Sequence, residues 1–451
     1  MKNLDYIKLY LDKRMKRIFL LGVISGFPWV LIGSALSLWL KESELSRSTI
    51  GWAGLIFGIY AVNFLWSPLI DRIQIPILSK KIGHRKSWII LMQILILSSL
   101  ILWSTLDPSK NLWLVIAVGL AIAFSSATQD ITIDALRIEQ IGVNEGRVMA
   151  AGAAISVVGW WTGYKIGGVI SLVSAELLQR NGFENYWQLS FLLLGLIIII
   201  TSVALIFVPE KSSRKRTELQ KVNDDRIATN LNFSNKFSKL ITWLYGTTIN
   251  PLVSFFKKNT FGVAIGLLSF IFLFKTGEAF LGRMSIIFYK ELGFSKTDIA
   301  LYSKGVGWIT TISFTLLGGL FAIRMGLLKA MFVSGIIMAL TNLMFSVLAW
   351  VGSSEILFAF TVLIDDLAAA FATVAFVGFI SALVDRTYTA TQYALLASIG
   401  TAGRTLFASS SGSLVDWLNG DWGTFFIITA LMVIPSLICL FLIRKKLKLH
   451  E

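Results

Sequence analysis

Long apolar runs alternate with short polar connections along the chain. Twelve of the runs reach about 20 residues, enough to cross a hydrocarbon core of roughly 30 Å as a helix. They fall at about 18–40, 49–70, 88–106, 111–136, 149–175, 187–208, 260–288, 297–322, 330–351, 355–384, 389–416 and 423–443. One connection is long, Pro209 to Asn259, and it parts the runs six and six. Its first portion, Lys211 to Asn232, is polar and charged and reads as a mobile linker. Its second, Phe233 to Phe256, mixes Phe, Leu, Ile and Trp with Lys, as an interfacial amphipathic helix does. A helix taken up by a calmodulin-like partner would show a similar mixture. The pattern predicts an all-α polytopic membrane protein with twelve transmembrane helices. Its expected units are a six-helix half over 1–208, a linker with an amphipathic helix over 209–259, and a second six-helix half over 260–451.

The two halves are expected to be pseudo-symmetric. Residues 41–50, KESELSRSTI, align without a gap on residues 290–299, KELGFSKTDI, and both segments join the first run of a half to the second. Ser295 with Asp298 has the spacing of a capping box, where two side chains satisfy otherwise orphaned backbone donors. An internal repeat of six spans with a central linker is a layout of secondary transporters.

Composition supports the membrane reading and narrows the chemistry. The 451 residues are 55% hydrophobic and only 15% charged, with a mean hydropathy of +0.73. Of 41 Lys and Arg, 30 fall on the side of the N-terminus, 6 on the opposite side and 5 inside the runs. That asymmetry places both termini in the cytoplasm. The net charge of +15 therefore reflects topology and contact with anionic membrane lipid, so no nucleic-acid partner is expected. The first run is long and lacks a small-residue cleavage site after it, so it is expected to stay as a span. The lone Cys439 excludes an internal disulfide and a thiolate cluster, and His84 and His450 both lie outside the runs. No metal, cofactor or enzymatic constellation is expected.

Polar residues inside the runs carry the functional signal. Ser126, Asp130, Asp134 and Arg137 share one helical stripe, and charges at membrane depth face a bundle interior or a wet cavity. In the next run Gly152, Ser156, Gly159, Gly163 and Gly167 form a small-residue face that admits a close neighbour. Trp161 and Lys165 project roughly opposite it. After the second run comes Ser67-Pro-Leu-Ile-Asp71-Arg72, then Gly83-His-Arg85-Lys86. This resembles the signature loop of the major facilitator superfamily, with Ser67 in place of the usual Gly and a longer loop. Asp71 and Arg72 are the expected gate residues, the carboxylate being able to meet a helix N-terminus of the other half. A purely topological role for these charges is the alternative.

SSATQDITIDALRIE at 125–139, AAGAAISVVGWWTGYKIGG at 150–168, FLWSPLIDR at 64–72, Lys275-Thr-Gly-Glu278-Ala-Phe280, Asn250-Pro-Leu-Val-Ser-Phe-Phe256 and Ala390-Thr-Gln-Tyr-Ala-Leu-Leu396 resemble the AmpG-type muropeptide permeases. The matches run in order over most of the chain. The resemblance implies a major facilitator fold in a bacterial inner (cytoplasmic) membrane. It also implies proton-coupled import of N-acetylglucosaminyl-anhydro-N-acetylmuramyl peptides for peptidoglycan recycling, by a protein working as a monomer. An acetyl-CoA-like or other amphipathic organic anion is the alternative cargo. The sequence departs from the family at Lys165, which follows the Gly-aromatic pair by an extra turn. Arg283 lacks a recognised counterpart, and Asp365-Asp366 is more acidic than usual.

The residues assign provisional roles. Proton-coupling candidates are Asp130, Asp134, Glu278, Asp365 and Asp366, because coupling needs a carboxylate whose ionisation changes with its surroundings. Substrate-binding candidates are Lys165, Lys304 and Arg404 for cargo carboxylates, Gln129 for sugar hydroxyls or acetamides, and Trp160, Trp161 and Trp308 for sugar faces. Lys275, three residues from Glu278, is the cation best explained by internal pairing.

Overall fold

The computed structural model describes residues 3–45, 53–210, 217–222, 236–294, 307–408 and 410–447. Every regular element among these residues is helical. The principal helices are α1 (Lys13–Glu42), α2 (Ser67–Arg72), α3 (His84–Trp103), α4 (Pro108–Glu139), α5 (Gly146–Arg180) and α6 (Tyr186–Ile206). There follow α7 (Lys236–Asn259), α8 (Phe261–Leu273), α9 (Thr276–Glu291), α10 (Gly307–Met325), α11 (Leu327–Val351) and α12 (Glu355–Leu383). The last three are α13 (Thr389–Ala408), α14 (Trp422–Leu431) and α15 (Ile434–Ile443). Eight helical segments are long and apolar enough to cross a membrane, with shorter apolar helices at Ile56–Leu65 and Thr310–Met325. The long α5 and α13, richer in Gly, Ser and Thr, complete the expected set of twelve.

Several spans that periodicity renders continuous are broken. The run at 260–288 becomes α8 and α9, parted at Phe274 and Lys275, whose backbone (φ −101°, ψ 14°) leaves the helix. The run at 423–443 becomes α14 and α15, with Pro435 in the first turn of the second piece. Proline there lacks the N–H that a continuous helix would use. Within α1, Pro28 precedes a π turn over Leu31–Ala35. Ser295 and Asp298 of the capping-box pattern lie outside the described residues, as do most of the polar linker and the end of each repeat segment.

The small-residue face of α5 packs on α1. A Cβ at Gly159 would collide with the Phe19 carbonyl, and one at Gly163 with the Val23 carbonyl. Gly22 and Gly26 of α1 return the contact against Ser156, Gly159 and Trp160 backbone atoms. Without side chains between them, the two backbones touch, and van der Waals contact replaces a hydrophobic drive that lipid cannot supply.

The two ends of the bundle differ. At the far end each half has its own aromatic core: Trp39, Trp103, Trp187 and Phe191 in the first, Phe288, Phe345, Trp422 and Phe426 in the second. At the end carrying the chain termini, residues of both halves share cores. Met149, Ala150 and Ala151 pack with Leu327, Ala375 and Phe379, and Ile70, Ile131 and Ala135 with Ala390 and Ala394. Tyr10 also donates to the Leu316 carbonyl at 2.7 Å. The bundle is thus closed at its terminal end.

Gly163→Ala is expected to destabilise the protein by about 1–3 kcal/mol, the usual range for overpacking. Gly168→Ala, where a Cβ meets nothing within 4 Å, is expected to leave stability unchanged or raised. Thermal unfolding of the two purified variants beside wild type measures the difference.

Candidate functional site

The terminal-end seam is built around a buried carboxylate. Asp71, in the last turn of α2, is 2% exposed. It accepts from Arg85 Nη2 at 2.6 Å, from Thr391 N at 2.8 Å and from Thr391 Oγ1 at 2.6 Å, with Ala390 N at 3.3 Å. Ala390 and Thr391 are in the first turn of α13, so a carboxylate of one half sits on the positive end of a helix of the other. Arg85 is itself fully buried and donates to Glu139 Oε1 at 2.9 Å. Glu210 accepts from the Arg85 and Lys86 amides at 2.8 and 3.1 Å, holding the N-terminus of α3. Burial pushes the Glu210 carboxyl up, and the two amides oppose that shift. Arg72 is half-buried at the end of α2. Gln220 reaches the carbonyls of both Asp71 (3.4 Å) and Thr387 (3.1 Å), laying a linker residue across the seam.

Deeper on the same seam, Asp134 pairs with Arg137 at 2.9 Å. Arg137 also donates to Ser381 Oγ of α12 at 3.0 Å and lies 5.7 Å from the Tyr393 ring centroid of α13. Arg386 answers from the second half, donating to the carbonyls of Ile138 and, at 3.2 Å, Ile141. The Ile138 carbonyl is in the last turn of α4 and that of Ile141 just beyond it, where backbone acceptors are released from the helix.

In the first half a polar group at Asp130 sits among aromatic rings. Asp130, half-buried, accepts from Ser25 Oγ at 2.7 Å and Trp29 Nε1 at 3.3 Å, both on α1. The Trp29 ring lies 4.4 Å from that of Tyr60, 5.0 Å from Phe57 and 5.6 Å from Trp160. Trp160 stacks on Tyr164 at 5.5 Å and meets Trp161 edge-on at 5.1 Å. Lys165 Nζ lies 5.7 Å from the Trp161 ring centroid, a cation–π distance. Gln129 does not join this group. It is fully buried and donates to the Ile24 carbonyl at 2.9 Å, because its place on α4 points it into the α1 contact.

The second half supplies a charged pair at the α8–α9 break. Lys275 Nζ is 3.2 Å from Glu278 Oε2 and donates to Thr373 Oγ1 of α12 at 2.8 Å. Asp365 accepts from Thr341 Oγ1 of α11 at 3.2 Å. Asp366, one residue on, points another way and is exposed, as are Arg404 and Arg283. Lys304 lies outside the described residues; Trp308 is in α10, with its side chain outside them.

Sequence reasoning missed Ser25, Trp29, Tyr60, Tyr164, Thr373 and Tyr393. An indole or hydroxyl in an apolar run gives no periodic signal of its own. Trp29, one residue after Pro28 and just before a π turn, was the most visible of them, since such turns often mark functional sites. Among the described residues no three potential metal ligands cluster.

Comparison with known proteins bears on the family and the fold. The Major Facilitator Superfamily profile matches residues 18–302. The chain is 35% identical to the Putative transporter AmpG 4 of Rickettsia felis, over 97% of this chain and 98% of that one. It is 28% identical to the Anhydromuropeptide permease of Escherichia coli K12, over 98% of this chain and 82% of that one. In three dimensions it is similar to a major facilitator transporter, FucP, solved in the outward conformation. The TM-score is 0.64 at 15% identity, over 96% of this chain and 99% of that one, a likeness of fold.

Removing the seam carboxylate should open the terminal end. Asp71→Ala strips α13 of its acceptor and leaves Arg85 with fewer anionic partners, a loss of about 3–5 kcal/mol for a broken buried pair. With Cys439→Ala as background, a cysteine at Ala394, 3% exposed on the seam, reports the change. Labelling should pass from negligible to rapid. Unchanged labelling would reduce Asp71 to a topological residue.

Proposed function

The chain belongs to the major facilitator superfamily and, within it, to the AmpG-type permeases, and from that premise we propose that it imports muropeptides with protons by alternating access. It is a multi-pass membrane transporter. In the proposed reading the terminal end faces the cytoplasm, in a bacterial inner membrane, and the monomer is the working unit. The name and near full-length similarity of the E. coli permease support the cargo class, and the excess of Lys and Arg on the terminal side supports the orientation.

The observation that carries the proposal is the bonding of Asp130 among aromatic rings. A carboxylate at membrane depth, held by one hydroxyl and one indole N–H, is bonded to neutral donors only. Such a group changes its proton affinity when the cavity around it gains or loses water or a cation. Beside it, the Trp29, Trp160 and Tyr164 rings offer flat faces of the kind sugar rings pack on, and Lys165 offers a positive charge. On this reading the disaccharide lies along the aromatic wall and a peptide carboxylate meets Lys165 or Arg404. Glu278, Asp365 and Asp366 are the second-half candidates for the proton, with Asp134 held in the seam. Alternating access then consists of breaking the Asp71 and Arg137 seam while the far end closes. Uptake of defined muropeptides into proteoliposomes, with and without an imposed pH gradient, tests the whole reading. Gradient-independent exchange of an acetyl-CoA-like anion instead would favour the other cargo.

Asp130→Asn is expected to abolish accumulation driven by the pH gradient while sparing downhill exchange. If the variant accumulates cargo as wild type does, the proton site moves to Asp365 and Asp366.

Lys165→Ala is expected to weaken uptake of a peptide-bearing muropeptide far more than that of a neutral disaccharide analogue. Truncating one partner of a desolvated charge pair costs about 2–5 kcal/mol. Equal losses for the two cargoes, at normal protein yield, would sink the binding role of Lys165.

A further inference from the structure

A cavity of about 430 Å³ lies at the terminal end, away from Asp130 and its rings, and is bordered by both halves. The first half contributes the α4–α5 turn with Glu145 and Gly146. The linker helix α7 contributes Lys258, and the second half contributes Thr260 before α8, Arg386 after α12, and Lys446 after α15. We propose that this cavity is a binding site for a phosphate-bearing anion held between the two halves.

Charge is the first reason. Three cations border the cavity against one carboxylate, and that carboxylate is already engaged. Glu145 accepts from Arg14 Nη1 at 2.7 Å and Nη2 at 3.2 Å, and the guanidinium holds its carboxyl below the usual range. The nearby Asp385 accepts from Ser254 Oγ at 2.7 Å and Thr387 N at 2.8 Å, and its charge acts on Lys258, so the cations outnumber the carboxylates by less than the lining alone suggests. The cations retain donors to spare. Lys258 Nζ gives one bond, to the Leu383 carbonyl at 3.0 Å, and an ammonium has three to give. Arg386 has five N–H groups and directs two nitrogens at the end of α4. Lys446 is exposed at the rim. Burial pushes the Lys258 ammonium down, the Asp385 carboxylate opposes that shift, and the Arg386 charge adds to it.

Backbone dipoles add to the charge. Both α5 and α8 begin at this cavity, neither has a side-chain cap, and neither carries an acid in its first turn. Two uncapped helix starts therefore present positive ends to a space already lined by cations. A phosphate group has the oxygens to accept from several of these donors at once.

Placement gives the site a consequence. Gly146 belongs to the first half, Arg386 and Lys446 to the second and Lys258 to the linker helix, so the full set of donors exists only while the terminal end is closed. An anion that binds this arrangement and not the open one shifts the population toward closure. The chemistry is shared by a lipid headgroup and by free phosphate.

The test uses the full chain in a neutral detergent, with thermal unfolding followed against inorganic phosphate and, separately, short-chain phosphatidylglycerol. Phosphatidylcholine of the same chain length is the control. A saturable rise in Tm is expected with at least one anion and none with the control. A rise with phosphatidylglycerol alone identifies a lipid headgroup, and a rise with both shows that phosphate suffices. Lys258→Gln with Lys446→Gln should weaken the apparent affinity by about tenfold or more, and Lys446→Gln alone, at an exposed position, by about threefold. Absence of a saturable rise with either anion, or undiminished affinity in the Lys446→Gln protein, would overturn the proposal.

Discussion

A carboxylate withdrawn from water must find its partners inside the protein, and Asp71 finds them on both sides of the seam. Within its own half it has Arg85, which Glu139 shares. From the other half it has the Thr391 hydroxyl and the first amides of α13. Removing either set leaves a buried charge short of bonds, which costs several kcal/mol. The closed terminal end is therefore specified by geometry as well as by apolar area. Arg137 on Ser381 and Arg386 on the end of α4 repeat the arrangement along the same seam. In all three places a charged group of one half completes the bonding of a helix end or hydroxyl in the other. On the proposed mechanism such bonds form together or break together, which would give the seam two states and little in between.

The seam can act this way only if each half holds together when it parts. The α1–α5 backbone contact through Gly22, Gly26, Gly159 and Gly163 does this in the first half, where dispersion at close range stands in for hydrophobic drive. Separate aromatic cores at the far end do the same for each half. Cohesion within the halves is dry and apolar, whereas cohesion between them at the terminal end leans on charges and helix ends. The first kind tolerates water poorly and stays shut. Water replaces the second kind readily once the seam begins to part.

Much of the fold was legible in the sequence, because a hydrocarbon core imposes a length on every span and a sign on every loop. The six-plus-six pattern follows from apolar runs and one long connection. The helix breaks were less legible. Pro28 and Pro435 were visible in the runs, but the break at Phe274 and Lys275 depends on Thr373 and Glu278 receiving the lysine, a tertiary matter. The site was legible in its charges and opaque in its neutral members. Asp130 announces itself by its desolvation; Ser25 and Trp29, which bond it, resemble any other residues of an apolar helix. Gln129 is the opposite case. An amide beside Asp130 looks suited to sugars by sequence, and the helical step of 100° turns it into the α1 contact in the closed structure.

The charges at membrane depth sort by how far their bonding is complete. Lys275 has both a carboxylate and a hydroxyl, and Arg137 has a carboxylate, a hydroxyl and a ring. Each of these cations has its charge met by a carboxylate on its own helix or break, and they suit structure or gating. Asp130 has two neutral donors and Lys165 the face of one tryptophan. For them the missing partner is worth more than any they possess, since a desolvated charge gains most from an opposite one. A proton supplies that partner to the acid, and a cargo carboxylate supplies it to the lysine. On the proposed mechanism the two vacancies are filled together, which ties proton binding to cargo binding through the same aromatic wall. On that mechanism, incomplete bonding more than the presence of charge is what separates a transport path from a structural ion pair.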